Sequence, residues 1–425
     1  MLGVVEMFIG PHNSVFHEPV ALRVRVRGEE VLGVDFVVGY SHLGVEKLAE
    51  SNTFIKTLYI VSRICGMCNV VHTTCYVQAI EEIEGVEVPE RALALRTLAL
   101  ELERMHSHML SLALIAELVG LKNLFMSMIR DRERVLYMRE LLTGNRIVSD
   151  YIWPGGVRRD IDDTVREKML KQLNYLEQRT RWYRRVYEEN QLLRKRLEEV
   201  GKISPSDVLD LGLLGPVARA SGVAIDVRKD QPYAWYSQVE FNVAARDEGD
   251  SLARTLVRLD EIIESINIVE QVLQKLPSGP INSLKVPLRR VKAGEAISRA
   301  EAPRGELVYH VVSRGGMKPY RVRIRTPSIP NILNTTQIYR GLTLADVPVV
   351  LASLDPCISC TDRVIVVDEK TRKTRLATLK KLAKETDNKN KPTPQALSTT
   401  NTQKPVRDPE PWSKTQQRAI EDYTE

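Results

Sequence analysis

Four of the five cysteines in this 425-residue chain stand in two Cys-x-x-Cys pairs, Cys65/Cys68 and Cys357/Cys360. Thiolates are the soft ligands taken by zinc, iron–sulfur clusters and the softer transition metals. Each pair offers two sulfurs from one turn of chain, and two pairs can enclose one centre. Structural zinc is the commonest use of four cysteines, but its pairs usually lie about 15–20 residues apart. Here most of the chain lies between them, so the centre would join the two ends of a large fold. A cubane cluster meets the same objection. Spacing alone leaves structural zinc, a catalytic transition metal and fortuitous pairing all open. The fifth cysteine, Cys75, reads as a small buried hydrophobe.

Composition narrows the context. Hydrophobic residues at 43% and charged residues at 27% describe an ordinary globular chain. Of the net charge of +6, +4 falls after Arg363, where 13 basic residues face 9 acidic ones. The remainder is close to neutral and gives no footprint for nucleic acid. Met109 to Leu121 is too short for a membrane span and carries Glu117. The opening MLGVVEMFIG lacks the basic start and long apolar run of a secretory signal. Five cysteines in a chain of this length exclude a disulfide scaffold.

The elements that must hold the cysteines follow from periodicity. Leu22, Val24 and Val26 alternate with Arg23, Arg25 and Arg27, Gly28 turns the chain, and Val31 to Val38 returns, so the N-terminus predicts a β-hairpin. From Val45 the pattern is helical. Val88-Pro89-Glu90 opens a long helix whose apolar positions Leu95, Leu98, Leu102, Met105, Met109 and Leu112 fall three and four apart, with Gly120 closing it. Further helices are expected over Lys122–Leu142, over the densely charged Asp160–Val200, and over Asp250–Leu276 before Pro277. Glu306 to Arg325 reads as a second hairpin around Gly315-Gly316. Val364 to Glu385 predicts a short strand and helix, and Thr386 to Asp422 is too polar to fold alone. The fold class is therefore mainly α (α+β): a helical bundle with small N-terminal and C-terminal β elements.

The flanks of the cysteines carry a resemblance. Arg63-Ile64-Cys65-Gly66-Met67-Cys68 with His72, and Asp355-Pro356-Cys357-Ile358-Ser359-Cys360-Thr361-Asp362-Arg363, resemble the two metal motifs of nickel–iron hydrogenase large subunits. The Asp-Pro-Cys start and Thr-Asp-Arg end of the second motif resemble the energy-converting, membrane-complex branch. Gly10-Pro11, Glu18-Pro19, Glu101–His108 (ELERMHSH), Gly144-Asn145-Arg146, Gly155–Asp160 and Glu301-Ala302-Pro303-Arg304-Gly305-Glu306 recur in the family's order, so the likeness covers about residues 8–363. The scaffold is also similar to the core subunit of respiratory complex I that forms the quinone pocket, through Gly39–His42, Glu46-Lys47, Asp226–Lys229 and Pro232-Tyr233. That relative lacks the four cysteines, and Leu43 stands where its form has arginine.

The resemblance implies roles. Cys65, Cys68, Cys357 and Cys360 would bind nickel, with Cys68 and Cys360 bridging to an iron that carries cyanide and carbon monoxide. Arg304 would be poised over the metals with Asp355 as its partner, and Pro303 and His72 would border the cofactor, His72 through a hydrogen bond that orients the site. Glu18 matches a glutamate that passes protons to a bridging cysteine. The plainer readings are a turn arginine beside Gly305, a surface glutamate capping a strand, and a satisfied core histidine. His106 and His108, two apart on a helix, point roughly 200° apart and cannot chelate one metal. Asn13 and Ser14 replace the family's usual His-Pro.

The implied domain is residues 1–363: an N-terminal hairpin and proton-entry segment (1–42), a helical core (43–283), and a hairpin with the C-terminal metal motif (284–363). A polar extension, 364–425, is cleaved or disordered in this expectation, although it is long for the segment that the family's C-terminal peptidase removes. The dinuclear site forms where the two ends meet. The implied activity is reversible 2H⁺ + 2e⁻ ⇌ H₂ at the cytoplasmic face of the membrane. The implied partners are a small subunit with a proximal iron–sulfur cluster, ion-translocating membrane subunits, maturation factors and, indirectly, ferredoxin. Ferredoxin is favoured over formate because only nine residues precede Gly10. The alternatives are a quinone-site or sulfur-reducing subunit, or a large fold with a structural zinc.

Overall fold

Arginines alternating with valines place one face of the first sheet in water and the other on a core. In the computed structural model, residues 3–12, 18–284, 288–361, 364–367 and 374–377 are described. β2 (Ala21–Arg27) pairs antiparallel with β3 (Glu30–Val37), and β1 (Val4–Ile9) adds a strand on the other side of β2. Val24, Val26, Val31 and Phe36 are buried while Arg23, Arg25 and Arg27 are exposed. The expected hairpin is thus the inner part of a three-stranded sheet.

Short helices α1 (Val45–Ser51) and α2 (Phe54–Val61) lead to α3 (Asn69–Glu84), and then to α4 (Glu90–Leu118) and α5 (Lys122–Thr143). Pro89 and Glu90 start α4 as their types predict, and almost all of its middle is buried, polar residues included. A two-residue pair, β4 (Ile152–Trp153) with β5 (Gly156–Val157), precedes α6 (Asp163–Glu189). The charged stretch expected as one helix is two. Asn190 leaves the helical region (φ −71°, ψ 117°), and its side chain accepts from Leu192 and Leu193 N–H to start α7 (Gln191–Leu197). Only a stripe of α6 is buried: Met169, Leu173, Leu176, Thr180, Tyr183 and Tyr187.

Three short helices follow: α8 (Pro205–Leu211), α9 (Pro216–Arg219) and α10 (Val227–Asp230). Asp250 caps α11 (Ser251–Gln274), which packs on α4 and α6 and buries Arg254 and Arg258 along with its apolar residues.

The second sheet departs most from expectation. β6 (Val291–Ala302) pairs with β7 (Gly305–Gly316), and β7 with β8 (Arg321–Arg325). The Glu306–Arg325 hairpin is present as β7–β8, but the longer hairpin, β6–β7, precedes it and turns at Pro303-Arg304, between the paired Ala302 and Gly305. Periodicity does not reveal β6, because VKAGEAISRAEA has few large apolar residues at its alternate positions. α12 (Ser328–Leu333) and α13 (Val347–Leu354) follow, and β9 (Val364–Val367) pairs with β10 (Thr374–Ala377). In place of the helix expected after the first strand of the tail, Thr374–Ala377 form β10; the rest of that stretch, with the expected disorder of Thr386–Asp422, lies outside the described residues.

Two apolar cores organise these elements. The larger lies among α3–α6, α11 and the β6–β8 sheet. The smaller joins the inner face of the β1–β3 sheet to α8, α13 and Ile358. That second core brings the chain's N-terminal strands against α13.

Candidate metal centre

Each of the four paired cysteines sits beside the end of a helix. Cys65 lies in the loop after α2, and Cys68 is the N-cap of α3. Glu103 of α4 secures that helix start by accepting from Val70 N–H (2.7 Å) and Val71 N–H (2.9 Å). Burial pushes the Glu103 carboxyl up to about 7, against Arg139 and these two donors. At the other end, α13 stops at Asp355, whose left-handed backbone (φ 54°, ψ 56°) turns the chain toward Cys357. Ser328 Oγ accepts from Cys357 N–H (3.0 Å), and Thr326 Oγ1 donates to Cys360 O (2.9 Å).

The result is one cluster. All four Sγ atoms lie within 4.8 Å of one another and all four residues are buried. Cys357 Sγ is 3.1 Å from Cys65 Sγ and 3.0 Å from Cys360 Sγ, and Cys68 Sγ is 3.6 Å from Cys360 Sγ. Hydrogen bonds from Cys357, Cys360 and Cys68 push the Cys65 thiol well down, while the Cys68 and Cys357 thiols are driven well up by those same short contacts and by burial. Four neighbouring sulfurs cannot all ionise on their own in a dry site. A bound cation reverses this, since coordination deprotonates a thiol outright. The donor set therefore fits a soft metal, and the approach of both pairs removes fortuitous pairing as a reading.

Arg304 reaches the cluster from the β6–β7 turn. Its Nε donates to Asp355 O (2.7 Å), Nη2 to Asp355 Oδ1 (2.9 Å) and Nη1 to Ser107 Oγ (3.1 Å). Although burial opposes its charge, Asp355 and the sulfurs of Cys357, Cys65 and Cys68 hold the guanidinium well above its ordinary value. The turn needs glycine at two places. Gly215 (φ 65°) lies so close that a Cβ there would be 2.4 Å from Arg304 O, and one on Gly305 (φ 125°) 2.7 Å from Gly215 N. Pro303 is buried in the same turn. Arg104 braces the strand before it, donating to Glu301 O (2.8 Å) and Ala302 O (3.3 Å), and Arg219 pairs with the Glu301 carboxylate (2.8 Å).

Glu18 meets the cluster from the N-terminal side. Its carboxylate accepts from Ile358 N–H, from Ser359 N–H (3.2 Å) and from Ser359 Oγ (3.1 Å). Burial raises its pKa, the Cys65 thiolate adds to this, and Arg304 and the backbone donors oppose it. Glu18, Arg304 and Asp355 border a cavity of about 130 Å³ whose other walls are mostly apolar, including Leu110, Leu114 and Leu118 of α4 and Leu351 of α13.

His72, one turn into α3, places Nε2 3.6 Å from Cys360 Sγ and Nδ1 2.7 Å from Tyr309 OH. Burial pushes its pKa down to about 4. Sequence pattern singles out none of Tyr309, Glu103 and Ser107. Tyr309 could be found only by knowing that β7 packs on α3. His108 bonds Glu261 (2.8 Å) inside the core, and His106 is likewise buried. Cys75 is fully buried, with its sulfur on Leu307 O at 3.6 Å.

A mostly helical fold whose two ends close around four cysteines defines a class of redox-enzyme subunit, and comparison with known proteins agrees. Residues 119–291 and 286–363 match the family described as respiratory-chain NADH dehydrogenase, 49 Kd subunit. Residues 43–116 match nickel-dependent hydrogenase. The chain is similar to the carbon monoxide-induced hydrogenase of Rhodospirillum rubrum, 38% identical over 84% of this chain and 98% of that protein. It is similar to a subunit of the F(420)H(2) dehydrogenase of Methanosarcina mazei, 36% identical over 85% of this chain and 99% of that protein. Among solved structures it is similar to a chain of the membrane-bound sulfane sulfur reductase, an archaeal respiratory membrane complex. That match has a TM-score of 0.81 and 38% identity, and covers 85% of this chain and 98% of that one. The chain belongs to the nickel–iron hydrogenase large-subunit family, in the energy-converting membrane-complex branch related to the quinone-site core subunit of complex I. Relatives of this kind are oxidoreductase subunits of membrane complexes. Among the described residues no helix is long and apolar enough to cross a membrane.

Proposed function

We propose that this chain is the catalytic subunit of an energy-converting nickel–iron hydrogenase, running 2H⁺ + 2e⁻ ⇌ H₂ with electrons from ferredoxin. The observation that carries the reading is the set of four buried cysteine sulfurs within 4.8 Å, supplied from opposite ends of the chain. Cys65, Cys68, Cys357 and Cys360 would hold a nickel–iron group whose iron carries cyanide and carbon monoxide. That group, when bound, supplies the site where protons and electrons combine.

The chain's own groups do the rest. Glu18 holds and moves a proton at a carboxylate oxygen. Arg304, fixed by Asp355, keeps one positive charge beside the sulfurs. The apolar cavity walls limit water at that face and suit a small uncharged molecule. His72 and Pro303 border the metals. Cys75 alone cannot hold a cluster, so electrons arrive from a small subunit with its own iron–sulfur centre. Membrane subunits that move ions would hold the assembly at the cytoplasmic face, and maturation factors would load the metals. Residues 1–363 form the enzyme domain in this reading, and the tail after Arg363 is the extension that a peptidase would remove.

The test is metal analysis of the purified complex. Equimolar nickel and iron in this subunit, with infrared bands from triple-bonded ligands, are expected. Zinc without those bands would return the site to a structural role. The sulfane sulfur reductase likeness favours a second reading, sulfur reduction. Sulfide formation without hydrogen evolution from reduced ferredoxin would select it.

Arg304→Lys is expected to lower turnover by about 10²-fold while both metals stay bound, the scale of a positioned acid–base group. Lysine keeps the charge, but its ammonium cannot span Asp355 O, Asp355 Oδ1 and Ser107 Oγ as the planar fork does. A loss under about tenfold in hydrogen-evolution assays would leave Arg304 a structural role.

A further inference from the structure

Tyr309 of β7 is fully buried, and its ring stands edge-on to that of His72, 5.8 Å between centroids. Among the described residues its hydroxyl has a single hydrogen-bond partner, His72 Nδ1 at 2.7 Å. A buried hydroxyl hydrogen needs an acceptor, and here Nδ1 is that acceptor. An imidazole that accepts at Nδ1 carries its proton on Nε2. Nε2 is the atom that faces Cys360 Sγ at 3.6 Å. In the opposite tautomer, Nδ1–H would point at the phenol oxygen, the phenol hydrogen would lack a partner among the described residues, and an Nε2 lone pair would face the Cys360 sulfur, which is a thiolate once a metal is held. Both ends of the ring select the same form.

We propose that Tyr309 is a positioning residue that locks His72 as the Nε2–H tautomer, so that the ring donates a hydrogen bond to the Cys360 sulfur. Such bonds draw electron density from a ligating thiolate and so tune the metal behind it. The proposal deepens the hydrogenase reading and rests on it. No bond is made or broken; the phenol orients a proton that remains on the imidazole. Tyr76 supports the arrangement, its ring 6.4 Å from that of Tyr309. Ser298 Oγ, donating to Cys75 O at 2.6 Å, ties the neighbouring strand β6 to α3.

The experiment is Tyr309→Phe in the intact complex, read by metal content and by the infrared bands of the iron ligands. Phenylalanine keeps the ring and the packing but frees Nδ1. The His72–Cys360 bond then weakens, the sulfur becomes a stronger donor, and the carbon monoxide band moves to lower frequency with nickel and iron at parental levels. Replacing Tyr309 by a fluorinated tyrosine leaves the fold intact and makes the phenol a stronger donor. Nε2–H then becomes more acidic, and the band moves the other way. Opposite shifts in the two variants establish the relay. Unshifted bands in metal-replete Tyr309→Phe, or in the fluorinated enzyme if the phenylalanine variant fails to assemble, overturn it while leaving the hydrogenase reading standing. Absence of the bands from the unaltered complex overturns the site reading, and this inference with it.

Discussion

Cys360→Ser is expected to give a folded subunit that contains no nickel and evolves no hydrogen. The backbone at this position is held without the sulfur. Cys360 N–H donates to Cys357 O (3.1 Å) and Thr326 Oγ1 donates to Cys360 O (2.9 Å), so the turn should survive the exchange. What changes is the ligand. The sulfur sits 3.0 Å from Cys357 Sγ and 3.6 Å from Cys68 Sγ, in a buried cluster where only a cation can keep several thiolates ionised together. A serine oxygen is harder and does not ionise near neutral pH, so it does not replace a thiolate as a ligand to a soft metal. Elemental analysis should find nickel at background while circular dichroism stays parental. Hydrogen turnover at the parental rate in this variant would refute the ligand assignment.

Sequence pattern reveals the helical bundle well and the second sheet poorly, for reasons visible in particular residues. α4 is legible because Pro89-Glu90 opens it and its leucines and methionines fall three and four apart. β2 and β3 are legible because arginine and valine alternate across a half-buried sheet. β6 is not, since alanines, glycine and charged residues fill it and its order comes from pairing with β7 along its length. The same omission hides where Arg304 stands. From sequence it is a residue beside a glycine, whereas the fold puts it at the tip of a long hairpin. The break at Asn190 is a cap inside a helical pattern, a weak signal against the surrounding charge.

Within the candidate site, the four cysteines stand out by type and spacing, whereas Arg304, Asp355, Glu18 and His72 are picked out only through the resemblance. The residues that orient them are invisible there. Glu103 caps α3 from 32–33 residues away in the chain, and Tyr309 reaches His72 across 237. Neither relation has a local pattern, because each depends on two elements packing face to face. Resemblance tells which cysteines belong together, since their separation in the chain alone leaves zinc, a catalytic metal and chance unresolved.

Glu18→Gln should separate proton delivery from metal binding. The carboxylate reaches the C-terminal metal motif directly, through Ile358 N–H, Ser359 N–H and Ser359 Oγ. Glutamine is nearly isosteric, and its amide oxygen still accepts from backbone N–H groups, so the turn that carries Cys357 and Cys360 should hold its shape and its metals. A carboxyl in this place is suited to relay work. Burial and the Cys65 thiolate raise its pKa, which brings the protonated form nearer to working pH, while Arg304 and the backbone donors keep the ionised form within reach. An amide has neither form to exchange. Net hydrogen evolution should therefore fall by at least about 10²-fold, as should exchange of hydrogen isotopes with solvent, while nickel and iron stay at parental levels. The isotope measurement decides the matter, because it reports proton traffic without needing electrons from the partner subunit. Exchange near the parental rate in a metal-replete variant would move the proton path off Glu18. His12, exposed on the same N-terminal segment, would then be the first residue to change.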